Sequence, residues 1–200
     1  MSDKCQPNSG KTYRVSLAGN TSIAIKNMRW DRGHLVPANH LDNNPQALRE
    51  TFFVTNILPQ NAYFNRSQGA WRYTETISEC YREITPLSIW GGVIWGNDSS
   101  NDYFTKTHGI KTPDYWWKLI YRHDKKQYVA WIFPNNATAS KSRINEYLVS
   151  LKTLKSKLKF IPNLGALERL PDISTIPAKS WEVKRKGRHL LCENQLASIG

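Results

Sequence analysis

Four consecutive residues, Asp31 to His34, carry side chains that are suited to phosphodiester chemistry. A histidine can act as a general base near neutral pH, and Arg32 could bind a phosphate through two parallel hydrogen bonds. Gly33 lets a backbone come close to this pair, and Asp31 could hold the loop or orient a neighbouring side chain. Taken alone, a motif of four residues can arise by chance, and a single loop histidine is more often structural than catalytic.

A second polar segment, residues 55–75, follows His34 and carries three asparagines ahead of a Trp and a Glu one helical turn apart. Amide oxygens of this kind suit Mg²⁺, which keeps several waters and takes few protein ligands. An asparagine adds no charge, so the ion would stay strongly Lewis-acidic towards a phosphate. The alternative is that Asn56, Asn61 and Asn65 only form turns, and Trp71 itself is expected in the core.

The charge balance of the chain favours a polyanionic partner. Lys and Arg outnumber Asp and Glu by 28 to 16, which gives a net charge of +12. Each phosphate that such a surface neutralises releases counterions, although a merely basic soluble protein would show the same balance. No stretch approaches the ~20 apolar residues of a transmembrane helix, so no membrane partner is expected. The opening residues lack a signal peptide, yet secreted or periplasmic, mitochondrial and intracellular locations all stay open.

Helical and strand-like segments are mixed without regular βαβ order, which predicts a single α+β domain over residues 1–200. The dense turn residues of 31–46 predict a long loop, and 123–126 predict a hairpin connection. Apolar spacing predicts one helix from about Gln68, ended by Pro86, and another over residues 140–154. Strands are predicted at residues 22–30, 51–58, 87–96, 115–123 and 127–134.

Cysteines and scattered basic residues add weaker signals. The three cysteines form no metal-binding cluster, so a structural zinc site is not expected. They could form one disulfide plus a free thiol, or stay as three buried thiols in an intracellular protein: Cys5, Cys80 and Cys192. The remaining histidines are expected to be structural or exposed: His40, His108, His123 and His189. Phosphates could be contacted by the basic segments after residue 155 or by three strand residues: Lys111, Lys118 and Arg122.

The segments DRGHLVPANH, TNILPQNAYFN and GAWRYTE together resemble the DNA/RNA non-specific endonuclease family, which includes mitochondrial endonuclease G and secreted bacterial nucleases. Weaker similarity in WGGVIWG, HGIKTPDYWWKLIY and AWIFPNN extends the resemblance over about residues 25–150. It implies the ββα-metal (His-Me finger) fold, with a central antiparallel sheet flanked by helices. It also implies Mg²⁺-dependent cleavage of DNA and RNA to 5′-phosphorylated products, with Mn²⁺ or another divalent cation able to substitute. Homodimerisation and an inhibitor protein are compatible with it.

The resemblance implies catalytic roles for His34, Arg32, Asn56 and Glu75, and a metal-binding role for Asn65. His34 would be the general base that takes a proton from the attacking water. Asn65 would be the single direct protein ligand of the metal, and Glu75 would hold metal-bound waters. Substrate contacts fall to residues near them: Arg32 at the phosphate, Asn56 in support of His34 and the substrate, and Arg82.

The chain departs from the family pattern between the ligand and the helix. Trp71 follows Asn65 by six residues where the family usually has four, so two extra residues must be absorbed by a bulge or a later helix start. Glu79 stands where many members carry an arginine; Arg82 is then a candidate to compensate, and Glu79 is a second candidate for holding metal-bound waters. A different class of function is a nucleic-acid-binding protein on a degenerate nuclease scaffold, against which the presence of His34, Asn65 and Glu75 argues.

Overall fold

The computed structural model describes residues 30–161 and 163–193. Its strands are β1 Trp30–His34, β2 Ile57–Asn61, β3 Leu87–Ile94, β4 Tyr115–Arg122, β5 Gln127–Pro134, β6 Val183–Lys186 and β7 His189–Cys192. Its α-helices are α1 Pro45–Glu50, α2 Ala62–Asn65, α3 Ala70–Tyr81, α4 Thr105–His108 and α5 Leu151–Lys157, with 3₁₀ segments at Ala38–His40, Ser99–Asn101, Lys141–Tyr147 and Gly165–Arg169. Within these ranges no helix has the length and apolar character that a bilayer crossing needs. The mixture of helices and antiparallel strands confirms the predicted α+β class.

The strands of the described residues form three antiparallel sheets. β1 and β2 make a two-stranded ribbon in which His34 lies opposite Ile57. β3, β4 and β5 form the central sheet in sequential order, and β6 and β7 form a hairpin near the end of the chain. The three predicted strands between residues 87 and 134, and the hairpin connection at 123–126, are thereby confirmed.

The central strand β4 is buried on both faces, which explains its almost unbroken run of large apolar residues. On one face Trp116 packs edge-on against Trp71 of α3, with ring centroids 4.9 Å apart. On the other face Leu119 belongs to a second apolar cluster with residues of α5, including Leu151 and Leu154. The sheet therefore fixes the position of α3, and Trp71 is a core residue as expected.

Two sequence predictions around the first ribbon are wrong. Residues 31–34 lie in β1 and not in a loop; of the predicted strand 22–30, only Trp30 lies within the described residues. Residues 51–56 form turns, and β2 begins only at Ile57. The Asn56 N–H donates to the Phe53 carbonyl at 2.8 Å, and the Asn56 side chain donates to the Thr51 carbonyl at 2.8 Å. These local hydrogen bonds override the strand propensity of the segment.

The predicted helix over residues 140–154 is also wrong, because it is split into a 3₁₀ segment and the short helix α5. Between the two, the Val149 N–H donates to the Ala130 carbonyl on the edge strand β5 at 2.9 Å. Ser150 then caps α5, since its hydroxyl accepts from the Thr153 N–H at 3.0 Å. The sheet edge thus takes a backbone donor that a continuous helix would need. The earlier predicted helix is confirmed by α3, which ends at Tyr81, before Pro86.

A disulfide joins α3 to the final hairpin. Cys80 and Cys192 are bonded across 112 residues of sequence, and both are almost fully buried. Of the two possibilities left open by the sequence, the structure contains the disulfide, while Cys5 lies outside the described residues. The covalent link fixes the hairpin of β6 and β7 to the helix that carries Glu75.

Removing this disulfide by the double substitution Cys80→Ser and Cys192→Ser is expected to lower the free energy of unfolding by about 2–4 kcal/mol, because the link closes a long loop in the unfolded chain. Urea denaturation followed by tryptophan fluorescence measures the change. The wild-type protein in excess dithiothreitol serves as the control, since it should lose the same amount. A variant as stable as the oxidised wild type would contradict the expectation.

Candidate active site

The β1–β2 ribbon places the DRGH residues. Along β1, His34 and the exposed Arg32 lie on one face, while Asp31 and Gly33 lie on the other, because side chains alternate along a strand. A side chain on Gly33 would overlap the buried side chain of Gln60 on β2. Glycine at this position is therefore needed for close packing of the ribbon, not for an unusual backbone angle.

Asn56 holds the chain just after His34. Its Oδ1 accepts from the Val36 N–H at 2.9 Å, and its Nδ2 donates to the carbonyls of Val36 and Thr51 at 2.9 and 2.8 Å. Its backbone carbonyl accepts from the Leu35 N–H at 3.0 Å. The side chain is thus committed to the backbone on both sides of the site loop, which fits support of His34; a direct contact of Asn56 with substrate stays a prediction.

The environment of His34 favours a neutral imidazole. The ring is half-buried and meets the Phe52 ring edge-to-face with centroids 5.4 Å apart. Burial lowers the pKa of His34 below its ordinary value, and a hydrogen bond to the Arg32 backbone partly offsets this effect. The carbonyl of His34 accepts from the Trp71 indole N–H at 3.2 Å, which ties the end of β1 to α3. A neutral histidine that can accept a proton is what a general base requires.

Asp31 orients the side chain of Asn65. The Asn65 Nδ2 donates to Asp31 Oδ2 at 3.0 Å, and Arg66 donates to both oxygens of the same carboxylate, from Nε at 3.0 Å and from Nη2 at 2.7 Å. Because the nitrogen of the Asn65 amide is committed to Asp31, the group that it can offer to a metal is its oxygen. The structure thus joins the DRGH strand and the predicted metal ligand through Asp31.

A turn absorbs the two extra residues between Asn65 and Trp71. The short helix α2 ends at Asn65, the Gly69 N–H donates to the Arg66 carbonyl at 2.7 Å, and α3 begins at Ala70. A side chain on Gly69 would overlap the backbone of Phe64. The extra length is therefore accommodated by a tight turn and a later helix start, and the position of Trp71 in the core is kept.

Glu75 belongs to a buried charge network on α3. Arg72 donates to Glu75 Oε2 at 2.9 Å and to Glu79 Oε1 at 3.0 Å, and Asn39 also donates to Glu79. Burial raises the pKa of Glu75, while the nearby cations of Lys118 and Arg72 oppose that rise. The network holds the Glu75 carboxylate in one place; whether it holds metal-bound waters there stays a prediction.

His40 packs at the edge of this network, as a structural residue. Its Nε2 lies 3.7 Å from Glu79 Oε1, and burial, followed by the charge of Lys118, lowers the pKa of His40 to about 4. Glu79, the second candidate for the metal-bound waters, is engaged by Arg72 and Asn39.

The exposure of each basic side chain decides which of the predicted phosphate contacts remain possible. Arg32 is exposed, and Arg82 is exposed beside Glu83 with an Nε–Oε1 distance of 3.3 Å, so both stay candidates. Lys118 and Arg122 are almost fully buried, and the prediction that they contact phosphates is wrong. Lys118 lies 3.7 Å above the Trp71 ring, and Arg122 is paired with acidic residues, Asp124 and Glu193. Lys111 is exposed and donates to the Gly96 carbonyl at 2.9 Å.

Two features of the site escaped the sequence analysis. No sequence motif predicts that Arg66 donates hydrogen bonds to both carboxylate oxygens of Asp31, since the two residues lie 35 positions apart. The burial of Lys118 could have been found, because strict alternation along β4 places it on the same face as Trp116 and Ile120, which point to α3.

The sequence profile of the DNA/RNA non-specific endonuclease family matches residues 2–164. The chain belongs to this family. Among similar proteins, mitochondrial nuclease EXOG of Mus musculus is 29% identical over 167 residues, which are 74% of this chain and 44% of the relative. Nuclease C1 of Cunninghamella echinulata var. echinulata is 26% identical over 80% of this chain and 66% of its own. Mitochondrial endonuclease G of Homo sapiens is 22% identical over 80% of this chain and 57% of its own. The chain thus spans less than half of the EXOG relative.

The residues around Asn65 fit the divalent metal on which this endonuclease family depends. Mg²⁺ prefers oxygen ligands and keeps most of its waters, so one oriented amide oxygen suffices as a direct protein ligand. Asn65 has an amide oxygen that its hydrogen bond to Asp31 orients, and its role as the ligand stays a prediction. The buried Nε2 of His34 has no hydrogen-bond partner in the described part of the chain, so a bound water could satisfy it. Residues 30–161 and 163–193 contain no cluster of three or more His, Cys, Asp or Glu placed to hold a metal.

Substituting Asp31→Asn is expected to weaken metal binding by about 10- to 100-fold, because the orienting partner of the Asn65 amide loses its charge. The measurement is the divalent-metal concentration that gives half-maximal cleavage, with most of the maximal rate returning at saturating metal. The exposed substitution Asp42→Asn is a matched control and should leave this concentration unchanged. An unchanged half-saturating concentration in Asp31→Asn would show that Asp31 does not orient a metal ligand.

Proposed function

We propose that this chain is a non-specific endonuclease that hydrolyses phosphodiester bonds of DNA and RNA with Mg²⁺, for which Mn²⁺ or another divalent cation can substitute. The observation that carries the proposal is the hydrogen bond from Asn65 to Asp31, which fixes the Asn65 amide against the strand that ends in His34 and leaves its oxygen for a metal. Membership of the endonuclease family supports it. All of the residues named in this proposal belong to the same chain.

Each residue of the site has a task in this proposal. His34 accepts the proton of the attacking water, for which its lowered pKa keeps it neutral. Arg32 and Arg82, both exposed, bind phosphate oxygens, and Asn56 holds the loop that follows His34. Asn65 would bind the metal and Glu75 would hold its waters; the ion, when bound, would supply charge stabilisation at the scissile phosphate. As the water oxygen bonds to phosphorus, the P–O3′ bond breaks and the leaving oxygen takes up a proton, so the downstream product carries a 5′-phosphate and the upstream product a 3′-hydroxyl.

Sequence-independent cleavage follows from the kind of groups present. The contacts proposed here are made to phosphate oxygens by arginine and by a hydrated ion, and such contacts position a nucleic acid without reading its bases. DNA and RNA share this backbone chemistry, so both are expected as substrates.

The deciding experiment incubates the purified chain with supercoiled plasmid and with single-stranded RNA, with Mg²⁺ and with EDTA. Loss of both substrates only with Mg²⁺, and products that a ligase joins without prior phosphorylation, are expected. Nucleic acid that is bound but intact under every condition would reject the proposal and leave a binding protein on a nuclease scaffold.

A further inference from the structure

The hairpin of β6 and β7 presents a cluster of exposed cations. Its tip, residues 184–189, is exposed throughout and contains four cations in five residues: Lys184, Arg185, Lys186 and Arg188. The turn is closed by Gly187, which has a positive φ of 60° and so suits glycine. We call this segment the basic tip.

The positive charge of the basic tip is largely unneutralised. Lys184 has Glu182 at 3.5 Å, but Arg185, Lys186 and Arg188 make no ion pair with any residue in the described ranges. What distinguishes the tip is that its cations are neighbours in one short segment; by comparison, the exposed Arg143 is paired, 2.7 Å from Glu146. Because few acidic groups neutralise these cations, the cluster produces a positive electrostatic potential that attracts a polyanion.

The base of the hairpin is fixed to the body of the protein. Cys192 is bonded to Cys80, the Val183 N–H donates to the Tyr73 hydroxyl at 3.1 Å, and Glu193 accepts from Arg122 at 2.7 Å. The disulfide, the backbone hydrogen bond and the ion pair together hold the base of the hairpin in a defined place. Binding of a ligand at the basic tip therefore costs little backbone entropy.

The hairpin lies behind the helix that carries the site. Tyr73 and Cys80 precede and follow Glu75 by two and five residues, and at roughly 100° per residue both project from the side of α3 opposite Glu75. The hairpin also lies beyond residues 2–164, which match the endonuclease family. The hairpin is therefore separate from the candidate active site.

We propose that the basic tip is a second phosphate-binding surface, which holds the backbone of a nucleic acid away from the bond that is cut. The inference rests on the proposed endonuclease function, because the nucleic acid that it binds is the substrate of that site. Binding is independent of sequence, since exposed lysine and arginine neutralise phosphates without reading bases. A long nucleic acid gains from this surface, whereas one of a few nucleotides does not reach it.

The test compares two triple variants that remove the same charge, each made in the His34→Ala background so that substrates stay intact. Arg185→Gln/Lys186→Gln/Arg188→Gln neutralises the basic tip, and Lys106→Gln/Lys126→Gln/Lys152→Gln neutralises three exposed lysines elsewhere. Binding to a duplex several helical turns long is measured over a range of salt. The tip variant is expected to lose about 2–3 from the slope of log affinity against log salt, at about 0.9 for each phosphate contact. The control variant should keep the slope.

Cleavage by the same triple variants with His34 intact gives a second readout. The tip variant is expected to lower kcat/KM about tenfold or more for the long duplex and to leave it unchanged for a tetranucleotide. A slope and affinity equal to those of the control would overturn the inference, as would hairpin-dependent binding to anionic lipid vesicles without any effect on nucleic acid. A wild-type chain that binds through the tip but never cleaves would reject the endonuclease function and not the binding surface.

Discussion

Replacing His34 with alanine is expected to lower kcat for nucleic-acid cleavage by about 10²- to 10⁴-fold, because the attacking water loses its general base. The fold should be unaffected, since the bonds that hold this part of β1 are made by backbone atoms, including the His34 carbonyl that accepts from Trp71. Single-turnover cleavage of a fluorescent duplex measures the loss. His123→Ala, an exposed histidine on the β4–β5 turn, is the matched control and should keep full activity.

Two further readouts separate loss of a base from loss of structure. Added imidazole should restore part of the activity of His34→Ala, and the affinity for uncut duplex should stay the same. Burial lowers the pKa of His34 below 6.5, so the wild-type rate should fall only as the pH drops through that lowered value. A fall that is centred above 6.5 and absent from the variant would contradict the burial argument, and no rescue by imidazole would contradict the base.

Replacing Lys118 with methionine is expected to cost about 3–5 kcal/mol of unfolding free energy, the range for removing one partner from a buried charge network. Lys118 is almost fully buried, contacts the Trp71 ring and opposes the rise in the pKa of buried Glu75. Without it, Arg72 is the one cation within the described ranges that pairs with both Glu75 and Glu79. Chemical denaturation at pH 7 measures the loss, and Lys106→Met, at an exposed position, should change stability by no more than about 0.5 kcal/mol.

The pH dependence of the free energy of unfolding provides a second test of this prediction. Burial lowers the pKa of Lys118 from 10.5 in the unfolded chain to about 8 in the folded protein. Between these two values the unfolded chain binds more protons, so the contribution of Lys118 to stability increases as the pH rises from about 8 to 10.5. That increase should be missing from Lys118→Met. Equal pH dependence in the two proteins would show that the lysine is not buried as a charge.

The sequence predictions that the structure confirms concern elements whose own residue pattern determines their secondary structure. Apolar runs between turn residues placed β3, β4 and β5, and helical spacing placed α3, because each of these elements buries a face that its own residues define. The strand predicted over 51–56 failed because hydrogen bonds within its own turn outweigh strand propensity, and the helix predicted over 140–154 failed because another element takes one of its backbone donors. Asn56 binds its own turn, and the edge of β5 takes the Val149 N–H.

In the candidate site, too, residue types could be predicted from the sequence, whereas the contacts that position them could not. The residue types of DRGH and of the 55–75 segment indicated which groups carry the chemistry, and the structure adds how they are held. Asp31 was expected to hold a loop or orient a neighbour, and the neighbour is Asn65. Lys118 was placed among surface contacts because a lysine is usually exposed; only its register on β4 shows that it lies under α3.

The hydrogen bond between Asn65 and Asp31 also makes the site sensitive to the host that produces the protein. Asn65, Arg66 and Ser67 form an N-x-S acceptor for N-linked glycosylation. The sugar would be attached to Nδ2, the nitrogen that Asn65 donates to Asp31. A glycan there replaces one of the two hydrogens on Nδ2, crowds the hydrogen bond to Asp31 and places a bulky group at the candidate active site. Passage of the unfolded chain through a eukaryotic secretory pathway would therefore inactivate it at its proposed metal ligand, whereas expression in a bacterial cytoplasm leaves that nitrogen unmodified.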